Sequence, residues 1–297
     1  MRLRSLLRPL KPFLVQRSEV LRRYDDRQYI LGRYRAIHQK DLDTKNPRTF
    51  TEKLFCRMLA LSQRGDPVLT KLTDKCLARE YVQEKVGSNH LIDLLWTGSD
   101  PTKIPFDDLP SKCVIKASHG SGMNIFLENG CDRESVIGKM RGWLGTNHYY
   151  SVREYQYYDI KPKILVETFL NDGHKDGPLN YQFWCFNGCP EVIRVNNHRR
   201  GMNVFYDLSW QKLPLRFRID RPDVDIEKPE NFETMMAIAS KLSSGLDFVR
   251  LDLYNVFGRV YFSEFTFTPL AGNLKFVPDH WDLDLGRKWV LNTSAPV

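Results

Sequence analysis

The stretch Phe248-Val249-Arg250-Leu251-Asp252-Leu253-Tyr254, a short segment at 255–258 ending in glycine, and Arg259-Val260-Tyr261-Phe262-Ser263-Glu264-Phe265-Thr266-Phe267-Thr268-Pro269 decide how this chain is read. Both runs are dense in aromatic and aliphatic residues and the break between them carries Asn255 and Gly258, the pattern of two strands joined by a turn. Side chains alternate across a strand, so Arg250, Asp252 and Tyr254 share one face, and Glu264, Thr266 and Thr268 share one face of the partner. Charges in the middle of apolar strands are costly to bury unless they are paired or bind an ion. Two readings follow. The carboxylates and hydroxyls form a Mg²⁺ site, because that ion takes hard oxygen ligands and shares them with nucleotide phosphates. Alternatively, Arg250 pairs internally with Asp252 or Glu264 and no metal is held.

Outward from this hairpin, runs at 91–96, 113–117, 123–127, 164–170, 181–186 and 191–196 have the same strand character, and Asn187-Gly188 marks a tight turn between the last two. Thr49-Phe50-Thr51-Glu52 is a capping box that starts a helix running to about residue 61. Further helices are expected over 73–86, closed by Gly87 with Leu77, Tyr81 and Val82 on the inward stripe, and over 133–144 and 232–243. The fold class is therefore mixed, α+β or α/β, with antiparallel hairpins. No repeat or flexible linker divides the chain, and 216–231, dense in Pro, Asp and Arg, is the expected long loop.

The 297 residues suit about two domains. The formal charge of +8 lies entirely in residues 1–40, which hold 11 basic and 3 acidic side chains, while the remainder holds 33 of each sign. A neutral body with a basic arm argues against a nucleic-acid binder and for a local role of the arm: rest on anionic lipid, docking on an acidic partner or substrate, or a plain surface helix. No stretch approaches the ~18 apolar residues of a membrane-spanning helix, and Arg8, Pro9, Lys11 and Pro12 interrupt any export signal. The six cysteines, Cys56, Cys76, Cys113, Cys131, Cys185 and Cys189, are scattered and read as reduced thiols of a cytoplasmic protein.

Two further constellations carry chemistry. Val114-Ile115-Lys116-Ala117-Ser118-His119-Gly120-Ser121-Gly122-Met123-Asn124 is a strand with a lysine near its end, running into a small-residue loop. Such loops let backbone amides approach phosphate oxygens while the lysine supplies the counter-charge, although a plain hairpin beside a surface lysine fits as well. Pro162-Lys163-Ile164-Leu165-Val166-Glu167-Thr168-Phe169-Leu170 is an apolar strand with one carboxylate, either core or an edge whose backbone reads an adenine ring.

In this order the pieces resemble the ATP-grasp superfamily, and in detail the TupA-like (teichuronopeptide-biosynthesis) ATP-grasp family. The resemblance begins at Asn46-Pro47-Arg48-Thr49-Phe50-Thr51-Glu52-Lys53, continues through Thr73-Asp74-Lys75, Arg79-Glu80-Tyr81-Val82, 114–124, Arg153-Glu154-Tyr155, 164–170 and 183–188, and ends with 248–254 and 261–272. It implies an ATP-grasp fold, two α+β subdomains clasping ATP, with a basic helical arm outside it. The implied division is 1–45 arm, 46–90 helical part, 91–170 small subdomain with the phosphate flap, and 171–297 large subdomain with the metal site.

By the same resemblance, Lys75 and Lys116 embrace the nucleotide phosphates, and His119, Gly120, Ser121 and Gly122 form the flap. Glu167, Thr168, Phe169 and Leu170 form the hinge against adenine, with Asp172 toward the ribose. Asp252 and Glu264 hold Mg²⁺, and Arg250 faces the transferred phosphoryl group; Lys116, Arg250 and His119 are the implied catalytic side chains. Two departures stand out: Thr266 where the superfamily has asparagine as a metal ligand, and Gln182 where it has lysine. The implied reaction is ADP-forming carboxylate–amine ligation through an acyl phosphate, in surface polysaccharide biosynthesis, such as joining an amino acid to a uronic acid. The alternatives are a kinase acting on a glycan hydroxyl, with His119 or His198 as acceptor-side groups, and a binding protein with a decayed site. Arg194, Arg199, Arg200, Arg216 and Arg218 offer guanidinium groups for an anionic sugar or glycan. The location expected is the cytoplasm, with residues 1–40 resting on the inner face of the membrane.

Overall fold

The computed structural model describes residues 19–128, 131–197, 199, 201–217 and 224–291. It opens with α1 (Glu19–His38), followed by α2 (Phe50–Arg64). The capping box forms as its residues dictate: Thr49 Oγ1 accepts from Glu52 N at 3.2 Å, and Glu52 Oε2 accepts from Thr49 N at 3.0 Å. The helix expected over 73–86 is α4 (Lys75–Val86), and a further helix, α3 (Pro67–Thr73), runs up to it. Asp74 separates them in an extended conformation, its carboxylate accepting from Cys76 N at 2.9 Å. A short polar side chain that bonds the backbone locally competes with the helical ladder and restarts it. The restart sets the phase of α4, so Ala78 and Val82 are its buried residues, while Tyr81 packs at the edge of the core and Leu77 is half-exposed.

Next come β1 (Leu94–Gly98), β2 (Lys112–Ala117), β3 (Asn124–Glu128), α5 (Arg133–Leu144), α6 (Tyr149–Val152) and β4 (Ile164–Thr168). The four strands form an antiparallel sheet in the order β1-β4-β2-β3, with a core of Ile115, Ala117, Ile164 and Val166 against Met140 of α5. Strand β1 starts three residues later than expected, because Leu91 bridges to Phe262 and is drawn into the other core.

The remaining elements are β5 (Asn180–Phe186), β6 (Cys189–Asn197), β7 (Met202–Tyr206), β8 (Arg216–Phe217), α7 (Phe232–Ser243), β9 (Phe248–Val256), β10 (Arg259–Thr266), β11 (Phe276–Val277) and α8 (His280–Lys288). A five-stranded antiparallel sheet runs β10-β9-β5-β6-β7, and β8 pairs with β11. The Asn187-Gly188 turn has positive φ at both residues, 50° and 82°, as a two-residue hairpin of matching twist requires. The short β7, β8 and β11 and the helices α3 and α8 did not stand out from periodicity. The loop expected over 216–231 begins with β8, and residues 218–223 lie outside the described residues; beyond them Ile226 is pinned by Trp210 Nε1 at 2.9 Å and by the Tyr206 hydroxyl at 2.9 Å.

One face of the large sheet packs Phe183, Leu251 and Leu253 against α7, and the other packs Trp184 and Phe248 against Phe50 of α2 and Trp289 after α8. Helix α8 meets the start of α2 at Gly286, where a Cβ would lie 2.2 Å from the Arg48 carbonyl oxygen. Along β9 that second face reads Phe248, Arg250, Asp252, Tyr254: it is apolar beneath the helices and charged beyond them. Helix α1 joins the same body, burying Ile30 and Tyr34 against Phe55, Met58 and Leu59. No helix among the described residues is long and apolar enough to cross a membrane.

Candidate active site

A cleft opens between the two sheets. The hairpin of β9 and β10 forms its floor. Glu264 is opposite Asp252 in the register, and a bulge between Phe262 and Glu264 re-aims the strand there. Arg250 grips Asp252 side-on, with Nε 2.6 Å from Oδ1 and an outer nitrogen 2.8 Å from Oδ2, and reaches Glu264 Oε1 at 3.3 Å. Both internal ion pairs weighed from the sequence therefore exist. Burial pulls the Arg250 guanidinium toward neutrality, but Asp252 and Glu264 outweigh it and raise its pKa. Asp252 Oδ2 also accepts from Asn180 Nδ2 at 3.0 Å and Gln182 Nε2 at 2.8 Å. Gln182 in turn accepts from Arg194 at 2.9 Å; burial, with Arg250 nearby, lowers the Arg194 pKa to about 9. Thr266 pairs in register with Arg250, one row beyond the two carboxylates.

The small sheet supplies the opposing charges. Lys116 on β2 places Nζ 2.7 Å from Glu167 Oε2 on β4, and Arg79 of α4 holds the other oxygen at 2.8 Å. Burial works against the Lys116 ammonium, yet Glu167 beside it raises its pKa overall. Lys75, the first residue of α4, donates to the Gly120 carbonyl at 2.8 Å. Its pKa is lowered by burial, and Lys116 adds to that. Two ammonium groups thus share one space with Glu264 and Tyr254 of the hairpin, whereas Arg250 and Asp252, bonded to each other, are not part of its lining.

Gly120, Ser121 and Gly122 line this space, with Gly122 at a φ of 71°. His119 does not line it: its Nε2 bonds the Trp143 carbonyl at 2.9 Å and the ring is buried, which lowers its pKa. Thr168, Phe169 and Leu170 line the far end together with Val114 and Phe126, an apolar wall in which the Phe126 and Phe169 rings meet edge-on at 6.3 Å. Asp172 accepts from His174 N at 3.1 Å in an exposed turn and is not part of the lining. His198, Arg200 and Arg218 lie outside the described residues. Arg199 packs over the Phe126 ring, 5.1 Å from its centroid, whereas Arg216 belongs to β8.

Asn180 and Arg79 were not singled out as site residues. Asn180 precedes Gln182 by two on the same strand face, and Arg79 follows Lys75 by four on the same helical face, so spacing carried the signal for both. Asn180 Oδ1 is buried without a partner, because its amide nitrogen is committed to Asp252. Two carboxylates and this spare amide oxygen make a hard-oxygen donor set that suits Mg²⁺. Among the described residues no cluster of three His, Cys, Asp or Glu side chains is built for a metal.

Two antiparallel sheets closing a lysine-walled, apolar-ended cleft over a carboxylate hairpin define an ATP-grasp protein. Residues 52–290 match the model of the TupA-like ATPgrasp family, and the chain belongs to that family. It is also similar to solved ATP-grasp ligases. The D-alanine–D-alanine ligase from Helicobacter pylori shares 14% identity over 82% of this chain and 70% of that one, with a TM-score of 0.47. The D-alanine–D-alanine ligase from Bacillus anthracis complexed with ATP shares 14% over 70% and 55%, with a TM-score of 0.40. The ATP-grasp ligase PsnB complexed with minimal precursor, Mg and ADP shares 11% over 70% and 57%, with a TM-score of 0.38. The chain spans just over half the length of the last two. No curated protein matches it.

Proposed function

We propose that this protein is an ATP-dependent carboxylate–amine ligase that forms ADP through an acyl phosphate, using ATP and Mg²⁺, and acts on an anionic sugar or glycan in surface polysaccharide biosynthesis. The observation that carries the reading is the convergence of Lys75, Lys116 and Glu264 on one cleft, with Arg250 bonded to Glu264 and to Asp252 beside it. Phosphoryl transfer asks a protein for positioning and charge neutralisation more than for covalent help, and these groups provide both.

In the proposed reaction an acceptor carboxylate oxygen attacks the γ-phosphorus, and the bond to the β-phosphate oxygen breaks to release ADP. The acceptor ammonium first gives one proton to solvent; the amine nitrogen so freed attacks the acyl carbon, inorganic phosphate leaves, and the second proton passes from nitrogen to that phosphate. Lys75 and Lys116 hold the phosphate oxygens, the Gly120–Gly122 loop covers them and keeps water from the acyl phosphate, and the wall at Phe169 and Phe126 takes the base. Asp252, Glu264 and Asn180 would hold Mg²⁺, which supplies further neutralisation of phosphate charge when bound. Arg250 faces the phosphoryl group. The TupA-like membership motivates a uronic acid carboxylate and an amino acid as the joined partners.

Incubation with Mg·ATP, uronic acid glycans and an amino acid mixture, followed by mass spectrometry, tests this. Amide together with ADP supports the ligase. A phosphorylated sugar replaces it with a kinase, and absence of ATP turnover with every acceptor replaces it with a binding protein.

A further inference from the structure

Glu154 lies in the loop between α6 and β4, 6% exposed. One carboxylate oxygen accepts the Thr268 hydroxyl, and the other stands 3.6 Å from His148 Nε2. Among the described residues no lysine or arginine comes within 4 Å of it. Its sequence neighbour Arg153 turns instead to Asp25 at 2.7 Å. A buried carboxylate without a permanent cation is costly.

The groups around Glu154 are short of donors as well. Thr268 Oγ1 takes Gln156 Nε2 at 2.7 Å, which fixes that amide and leaves Gln156 Oε1 buried and unpartnered. Such groups call for a partner. Tyr157 connects this cluster to the cleft. Its ring meets His148 edge-on at 4.7 Å, and it lines a small hollow together with Lys75, Glu264 and Thr73, whose hydroxyl is also buried and unpartnered. Burial, Glu154 and Glu264 together hold the Tyr157 phenol well above its ordinary pKa, so both carboxylates act on one side chain. Through Tyr157 the cluster therefore adjoins the Lys75–Glu264 end of the cleft, and it shares none of the apolar wall.

We propose that Glu154, oriented by Thr268 and flanked by His148 and Tyr157, docks the protonated amine of the acceptor; this assignment rests on the ligase reading above. One ammonium makes up the deficit, with its charge on the carboxylate and an N–H toward Gln156 Oε1.

The test compares the whole protein with its Glu154→Gln and His148→Gln variants, using Mg·ATP, a polyglucuronate and an amino acid mixture. Each is assayed twice, for amide and for the hydroxamate formed when hydroxylamine, a nucleophile largely uncharged at neutral pH, traps the acyl phosphate. Expected for Glu154→Gln is a rise of about tenfold or more in the amino acid concentration giving half-maximal amide, with hydroxamate within about threefold of wild type. His148→Gln shifts the same quantity in the same direction by less. Equal loss of both products, with a lowered melting temperature, makes Glu154 structural and overturns the assignment. Unchanged amide formation in Glu154→Gln overturns it while leaving the ligase intact. No hydroxamate from the wild type overturns the ligase reading and this assignment with it.

Discussion

Lys116 and Glu167 face each other across β2 and β4, Nζ to Oε2 at 2.7 Å, so the lysine proposed to hold phosphate is already committed to a carboxylate. Arg79 holds the other oxygen of Glu167 and remains when Lys116 is removed. Lys116→Ala is expected to cut ATP turnover by about 100-fold or more, on the scale of losing one preorganised charge at a reacting phosphate. The circular dichroism spectrum should stay native. Turnover within a few fold of wild type overturns the role of Lys116.

Glu264 is less confined, with its side chain 40% exposed and a long contact to Arg250 at 3.3 Å. Its loss costs little packing but removes half of the carboxylate pair. Glu264→Ala is expected to abolish turnover and to weaken Mn²⁺ binding in the presence of nucleotide, read by electron paramagnetic resonance, at an unchanged melting temperature. Retained activity removes Glu264 from the site.

Arg57 ties down the two ends of the same hairpin. Its guanidinium meets Asp247 at 3.0 Å, the Phe248 carbonyl at 2.9 Å and the Phe267 carbonyl, and it lies 4.7 Å from the Trp289 ring centre. Removing one partner of a buried pair leaves the other uncompensated. Arg57→Met should lower stability by about 3 kcal/mol, measured by urea unfolding, and turnover should fall as the hairpin loosens.

The capping glutamate at the start of α2 should confer pH dependence. Burial pushes the Glu52 carboxyl up, but the Lys40 ammonium at 2.7 Å and the Thr49 and Arg48 amides outweigh it, taking the pKa from 4.5 to about 2. A carboxyl depressed on folding stabilises the protein above its unfolded pKa, and that stability is lost as pH falls through the folded one. Wild type should therefore lose stability between about pH 4.5 and 2 more steeply than Glu52→Gln. Parallel curves for the two proteins refute this.

The basic segment is best tested without cutting into α1, since Ile30 and Tyr34 are core residues. Residues 1–18 hold Arg2, Arg4, Arg8, Lys11 and Arg17 and no acid. Removal of 1–18 is expected to reduce co-sedimentation with phosphatidylserine vesicles, at roughly 1 kcal/mol per basic residue near the surface. Equal binding by both proteins removes the membrane role.

How far the site was legible depends on the residue. Spacing of two along β9 put Arg250 and Asp252 on one face, and the structure has them on one face, hydrogen-bonded to each other. His119 stands beside the glycines of the loop in sequence, but its ring turns back to the end of α5. Adjacency in a loop gives no side-chain direction, whereas alternation along a strand does. Glu154 stands in the Arg153-Glu154-Tyr155 segment with no role of its own there, because what marks it is a relation in space: among the described residues no lysine or arginine lies within 4 Å of it.

By itself the sequence determined the local rules: the capping box at Thr49 and Glu52, the Asn187-Gly188 turn, and the charged face of β9. These are set by hydrogen bonds and alternation within a few residues. Tertiary structure alone decided which faces meet. Arg79 finds Glu167, Asn180 and Gln182 close on Asp252, and Glu154 reaches Thr268. Those partners lie 70 to 114 residues apart. Periodicity records that a face is polar or apolar, but the partner of a buried charge is chosen by how the sheets and helices pack, and no local rule encodes that choice.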